Sequence, residues 1–380
     1  MKKRTLIPLV ALLIICFSAC RSSLSKKDGA ANIPKNENNS AIENAMLKAL
    51  QWQEVNPIFA KAPTDWTNGV YYMGVTQAHK ITNNKLYLDA LSSMAIRNEW
   101  KPWERFYHAD DITICYSYNY LASIKAEQVN MKPTDEVLRD HLYKEHPWKT
   151  GEGKGDAKIL WWWCDALFMA PPVITSYVKL NHNKEYLTLM DKYYKETYDL
   201  LYDKEENLFA RDLRFKWEGL PTDKKSDDGK KIFWSRGNGW VFAGLALVIQ
   251  DLPKDYKNRA FYENLFVKMA NKIKQIQPED GLWRSNLLSP GSDPHGEASG
   301  SGLFTFAMAW GINNGLLSAK EFKPATLKAW KALEACQQEN GKVGWVQNIG
   351  FDPKPADVTS WQNFGTGAFL LAGSEILKLK

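Results

Sequence analysis

Histidine, paired cysteine and long apolar runs are scarce in this chain, and each scarcity removes a class of function. Only six of the 380 residues are histidine, and none stands in the HxxxH or HExxH spacing that sets two zinc ligands on one helix face. No metal and no cofactor is inferred. Of five cysteines, Cys16 lies in a leader and Cys20 directly follows it, leaving Cys115, Cys164 and Cys336. That odd, widely spaced set makes neither a disulfide framework nor a zinc site, so the three read as small buried apolar residues. Charge of one sign is scarce too: 49 Lys and Arg oppose 43 Asp and Glu, for a formal +6. Losing Lys2, Lys3 and Arg4 with the leader lowers this to +3, too little to imply a nucleic-acid partner. Runs of β propensity are few and short, near Leu208–Phe215 and Gly281–Leu288.

The one long apolar run is at the start. Met1-Lys2-Lys3-Arg4 precedes an apolar stretch from Leu6 to Phe17 and then Ser18-Ala19-Cys20. A basic start, a brief apolar core and small residues before a cut read as a secretory signal peptide, too short for a stable span. Cysteine directly after Ser-Ala makes a lipobox, so residues 1–19 are expected to be removed and Cys20 lipidated. The polar stretch of residues 20–40 cannot bury enough surface to order itself and reads as a tether. The expected location is the bacterial periplasm or outer membrane, with membrane contact only through Cys20.

What is abundant is aromatic and helical. Sixteen tryptophans accompany sixteen tyrosines and sixteen phenylalanines. Amphipathic runs at Ala41–Gln53, Lys85–Asn98, Thr134–Tyr143, Glu185–Tyr202, Tyr256–Gln277 and Pro324–Gln338 carry charged outer faces. They alternate with runs that are apolar nearly all round and rich in Gly and Ala: Trp66–His79, Asp110–Ile124, Trp162–Lys179, Gly237–Ile249, Ser299–Gly315 and Trp361–Leu377. Six outer and six buried helices predict an all-α (α/α)6 barrel over residues 41–380, one domain. Each buried helix follows a loop rich in Trp, Gly, Asp or Arg, so six polar-aromatic helix starts converge on one cavity that favours an anion.

The candidate residues sit in those loops. Asp165 follows Trp161-Trp162-Trp163-Cys164; packed among indoles, its carboxyl should rise toward neutrality and serve as an acid, or it simply caps the helix it opens. Asp110 and Asp111 follow His108 and offer two like charges that share a proton or hold a hydroxyl, with helix capping as the competing account. Arg236, in Trp234-Ser235-Arg236-Gly237-Asn238-Gly239-Trp240, has the planar fork a carboxylate ligand wants, or else forms a buried ion pair with Asp110 or Asp165. Trp163, Trp234 and Trp240 are stacking candidates, or barrel filling. His295 and Glu297 open a helix start that packs closely. Together these features point to an enzyme acting on an acidic sugar.

Three of these segments resemble glycoside hydrolase family 105, the unsaturated rhamnogalacturonyl hydrolases, with the family 88 unsaturated glucuronyl hydrolases as cousins. Trp163-Cys164-Asp165-Ala166-Leu167-Phe168-Met169-Ala170-Pro171-Pro172 is similar to its Trp-x-Asp-x-Leu-x-Met-x-x-Pro segment. Trp234 to Trp240 matches Trp-x-Arg-x-Asn-Gly-Trp, and His108-Ala109-Asp110-Asp111 resembles the first-half Asp motif. The resemblance spans essentially the whole mature chain and implies an exo-acting hydrolase that removes a 4,5-unsaturated uronic acid from lyase-generated oligosaccharides. It implies Asp165 as general acid that also activates water, Asp110 as second carboxylate, and Arg236, Trp234, Trp240 and Trp163 around the unsaturated ring and its carboxylate, with Asp111 and His108 as further substrate-binding candidates. The chain departs where relatives often have histidine: Arg211-Asp212 stands there, and Arg211 suggests a second acidic or sulfated group. Two other readings stay open, an inverting two-carboxylate glycosidase on saturated acidic glycans and a non-catalytic glycan-binding lipoprotein.

Overall fold

The computed structural model describes residues 37–58, 60–148 and 158–379; the signal peptide, Cys20 and most of the tether lie outside the described residues. Six outer-then-inner helix pairs follow in order: α1 (Glu37–Val55) and α2 (Trp66–Thr82), α3 (Lys85–Arg97) and α4 (Cys115–Ser123), α5 (Lys132–Tyr143) and the broken helix α6 (Ala166–Met169) with α7 (Pro171–Asn181). Then come α8 (Glu185–Leu201) and α9 (Ser235–Asp251), α10 (Arg259–Gln275) and α11 (Ala298–Asn313), α12 (Ala319–Cys336) and α13 (Asn363–Ile376). The inner helices close a ring: α2 packs on α4, α4 on α7, α7 and α6 on α9, α9 on α11, α11 on α13, and α13 returns to α2. This is the (α/α)6 barrel the alternation predicts.

Burial explains why the two kinds of helix differ. Along α11 every residue from Ala298 to Gly311 is buried, as a helix apolar all round must be. Along α8 one face is buried, through Tyr186, Leu187, Met190, Tyr194 and Leu201, each such side chain contributing roughly 1.5–3 kcal/mol. The inner helices approach closely where side chains vanish. A Cβ on Gly74 of α2 would lie 2.4 Å from the Gly367 carbonyl oxygen of α13, so alanine there would force the helices apart.

Three elements differ from the sequence expectation. The run Asp110–Ile124 resolves into a 3-10 turn, Ala109–Ile112, followed by α4. The run from Trp162 breaks at Ala170, because Pro171 has no N–H to continue the ladder and its ring crowds the preceding turn; α7 restarts with that proline in its first turn. Helix α12 begins at Ala319, a turn ahead of Pro324, which sits inside it. The β runs reduce to a two-stranded hairpin, β1 (Tyr202–Asp203) against β2 (Leu208–Phe209), and an isolated Trp234–Asn286 bridge. Cys115, Cys164 and Cys336 are free and buried.

Candidate active site

The starts of the inner helices divide into those whose acids are spent on capping and those whose acids are not. Asp65 accepts from the Thr67 and Asn68 N–H groups of α2, and Glu297 from the Ser299 and Gly300 N–H groups of α11. Both are structural caps. Asp165 precedes α6 with an already helical backbone, φ −59° and ψ −31°, and its side chain makes no cap hydrogen bond. The capping account therefore does not describe Asp165. At the 3-10 turn the cap is His108, whose Nδ1 accepts from the Asp110 N–H at 3.3 Å, so the Asp110 carboxyl is also free of that duty.

These free acids face a cavity of about 360 Å³ lined by Trp66, Asp110, Trp163, Asp165, Met169, Arg211, Trp234, Ile349, Gly350 and Phe351. Five residues singled out in the sequence meet there: Asp110, Trp163, Asp165, Arg211 and Trp234. His108 stands just behind, its Nδ1 3.6 Å from Asp110 Oδ1 and its ring 4.8 Å from that of Trp163. Arg211 Nε lies 3.2 Å from Asp165 Oδ2, an ion pair without hydrogen-bond alignment, and Nη1 donates to Asp212 Oδ2 at 2.8 Å.

Three expected ligand contacts lie elsewhere. Asp111 is fully buried and gripped by Arg105, whose backbone N–H, Nε and Nη2 donate to it at 2.8, 3.1 and 2.7 Å. Trp240 fills the floor of the ring, with Phe168, Trp66 and Phe364 at centroid distances of 4.9, 6.3 and 6.4 Å. Arg236 is fully buried and points at a loop rather than at the cavity. Its Nη1 donates to the Gln347 carbonyl and Nη2 to the Asn348 carbonyl, each at 2.8 Å, and Glu297, not Asp110 or Asp165, is its acid at 3.8 Å. The guanidinium lies over the rings of Trp234 (4.5 Å) and Phe364 (4.8 Å). Arg236 thus holds in place the segment that delivers Ile349, Gly350 and Phe351 to the wall. That segment starts at Trp345, whose left-handed φ of 57° costs on the order of 1–3 kcal/mol and is braced by His295 stacked on its ring at 3.5 Å.

Burial first, and then the negative charge of Asp165, push the Asp110 carboxyl up to about 7. Its Oδ1 is buried without a hydrogen-bond donor, and the cation that touches the carboxyl pair stands beside Asp165 instead. Asp110, which the sequence offers as a carboxylate that shares a proton, is thus a raised acid in this cavity. Burial, helped by the positive Arg105, pushes His108 down to about 3, so its imidazole is neutral near pH 7 and acts by hydrogen bonding. The cavity can therefore hold one proton on a carboxyl pair beside a cation, among indole faces. Sequence reasoning missed Trp66, Met169, Ile349, Gly350 and Phe351. Trp66 shares the Trp-beside-Asp pattern of the other helix starts, with Asp65 before it. The loop carries no periodic signal, and only the fold brings it over the ring.

A family model described as Glycosyl Hydrolase Family 88 matches residues 34–380. The chain belongs to Glycosyl Hydrolase Family 88. It is a glycoside hydrolase, of the family the sequence resemblance placed beside family 105. An unsaturated 3S-rhamnoglycuronyl hydrolase of Formosa agariphila is 57% identical over 350 residues, covering 91% of this chain and 93% of that one. A protein of the same name from an Alteromonas species is 35% identical, covering 82% of this chain and 77% of its own. The solved structure of a family 88 glycosyl hydrolase from Bacteroides vulgatus, 30% identical, superposes with a TM-score of 0.81 over 90% of this chain and 99% of that one.

Proposed function

We propose that this family 88 hydrolase removes a 4,5-unsaturated uronic acid from the non-reducing end of lyase-generated oligosaccharides by hydrating the C4=C5 bond. The carrying observation is the Asp110–Asp165 pair: two carboxyls that share one cavity with Arg211, Trp66, Trp163 and Trp234, one of them raised to about 7. The names of the two relatives supply the aglycone; we read 3S-rhamno as a rhamnose that carries a sulfate on O3.

The C4=C5 bond of such a uronate is an enol ether, because C5 also bears the ring oxygen. Near neutral pH the coupled pair holds one proton. Delivery of that proton to C4 leaves an oxocarbenium at C5, stabilised by two carboxylates and the indole faces. Asp165 then takes a proton from the water that adds at C5, so the pair regains its proton. The product is a C5 hemiketal, which opens to a ketone and releases the next sugar from C1. No anomeric displacement is needed. Arg211 faces the acid that works next to C5, where the substrate carboxylate is attached.

The test is the ultraviolet band of the conjugated double bond, followed on unsaturated disaccharides from sulfated rhamnose glycans, rhamnogalacturonan and glycosaminoglycans. Loss of the band with wild type and its persistence with Asp165→Asn supports the reading. Release of sugar from saturated glycosides with the band untouched replaces it by the inverting two-carboxylate hydrolase. The leader supports a lipid anchor at Cys20 that holds the enzyme in the periplasm or at the outer membrane. A Cys20→Ala chain that stays with membranes would overturn that part.

A further inference from the structure

Next to the catalytic pair, a single buried carboxylate clamps two arginines. Asp212 is fully buried. Its Oδ2 accepts from Arg211 Nη1 at 2.8 Å and from Arg214 Nη2 at 2.6 Å, while Oδ1 accepts from Arg214 Nε and from the Arg214 backbone N–H, both at 2.9 Å. Burial by itself would raise Asp212, but the forks of Arg214 and Arg211 outweigh it and hold the carboxyl below its ordinary range. Two positive groups thus share one negative group that substrate cannot reach. The side chains differ in depth: Arg211 is 16% exposed and lines the cavity, whereas Arg214 is 33% exposed.

Arg214 is not a stray surface charge. Its guanidinium lies 4.4 Å over the ring of Phe351, which lines the cavity and is itself 46% exposed. That contact places the fork at the mouth of the cavity. Both guanidinium groups keep a free edge. Among the described residues neither Arg211 Nη2 nor Arg214 Nη1 has a hydrogen-bond partner. Asp352 is the other acid that acts on Arg214. Exposed apolar side chains of Ile349 and Phe351 share the mouth, a surface suited to a deoxy sugar rather than to a fully hydroxylated one.

We propose that Arg211 and Arg214, held at fixed separation by Asp212, read the two anions of the substrate: Arg211 the uronate carboxylate, and Arg214 the sulfate ester on the neighbouring sugar. Arg214 is then a specificity-determining residue that the catalytic step itself does not use. A planar fork with an open N–H edge suits a tetrahedral oxyanion, and charge-assisted bonds of this kind are about twice as strong as neutral ones. This assignment rests on the proposed function, since it needs an unsaturated uronate in the cavity and a sulfated sugar at the mouth.

The experiment compares wild type, Arg214→Gln and Arg214→Lys on one unsaturated uronyl-rhamnose disaccharide in two forms, sulfated and chemically desulfated. Loss of the ultraviolet band is followed, and thermal unfolding of each variant is recorded. Wild type should prefer the sulfated form. Arg214→Gln should lose about 10- to 100-fold in kcat/KM on the sulfated form, the size of one charged hydrogen-bond contact, and change little on the desulfated one. Arg214→Lys, which keeps the charge without the fork, should retain part of the preference even if the Gln variant is too unstable to assay. Equal losses on both forms would show a purely structural role through Asp212 and Phe351 and overturn the assignment. So would a wild-type enzyme indifferent to the sulfate. A wild type that leaves the band intact on both forms would overturn the proposed function beneath it.

Discussion

Arg211 and Arg236 occupy the same end of the same ring and face opposite tasks. Arg236 sits in the stronger sequence motif, between two tryptophans, and is sealed behind the wall with two backbone carbonyls and two aromatic faces as partners. Arg211 sits outside the three motif segments and reaches the cavity with Asp165 and Asp212 as partners. A guanidinium that donates to loop carbonyls is committed to shaping the site. One that pairs only with carboxylates keeps an edge for a ligand. Motif strength here marks what the fold requires, while ligand contact depends on which partners are left unfilled.

Substitutions on each side of the wall separate the two roles. The largest effect belongs to Asp165→Asn, which should lower kcat by about 10²- to 10⁴-fold with the melting temperature little changed; an active variant would remove Asp165 from the chemistry. Next, Arg236→Met should cost on the order of 3–5 kcal/mol in denaturant unfolding, because it leaves Glu297 buried without its cation and the loop carbonyls without donors. A fully stable Arg236→Met that only binds substrate poorly would move Arg236 to the ligand side and erase the contrast. Arg211→Gln should do the reverse, lowering kcat/KM about 10- to 100-fold with a far smaller effect on stability, since Asp212 keeps Arg214.

A smaller effect is the pH profile. With the Asp110 carboxyl raised to about 7 by burial and by Asp165, the protonated pair is the active form, so kcat/KM should fall as pH rises through about 7. In Asp110→Asn that limb should vanish along with most activity. The same sign holds for stability: a raised carboxyl costs the folded state progressively as pH rises from the ordinary carboxylate range toward 7. Asp110→Asn should therefore be stabilised relative to wild type above neutrality and not in acid. A limb that survives in the variant would assign the titration to another group.

Much of this was legible before any coordinates. The alternation of one-faced and all-round apolar runs carries the barrel, because only a helix buried on every side tolerates stretches such as Ser299–Gly315. Asp110, Trp163, Asp165, Arg211 and Trp234 were found because loops preceding inner helices must meet at one end of the ring. The rise at Asp110 was not legible, because it comes from burial in the folded ring and from the charge of Asp165, which the chain brings in from another helix start. The wall at Ile349–Phe351 was invisible for a similar reason: its position is imposed by Arg236, Glu297 and Gln347 acting at long range, and nothing local in Gly344–Gly350 announces it.

The proposed reaction in this cavity is hydration of a double bond rather than displacement at the anomeric carbon. The most direct measurement gives the enzyme two uronyl disaccharides identical except for the C4=C5 bond, one unsaturated and one saturated, and follows release of the second sugar from each. Hydration gives release from the unsaturated form, in step with loss of its ultraviolet band, and none from the saturated form. Comparable release from both would contradict it and assign Asp110 and Asp165 to ordinary glycoside hydrolysis.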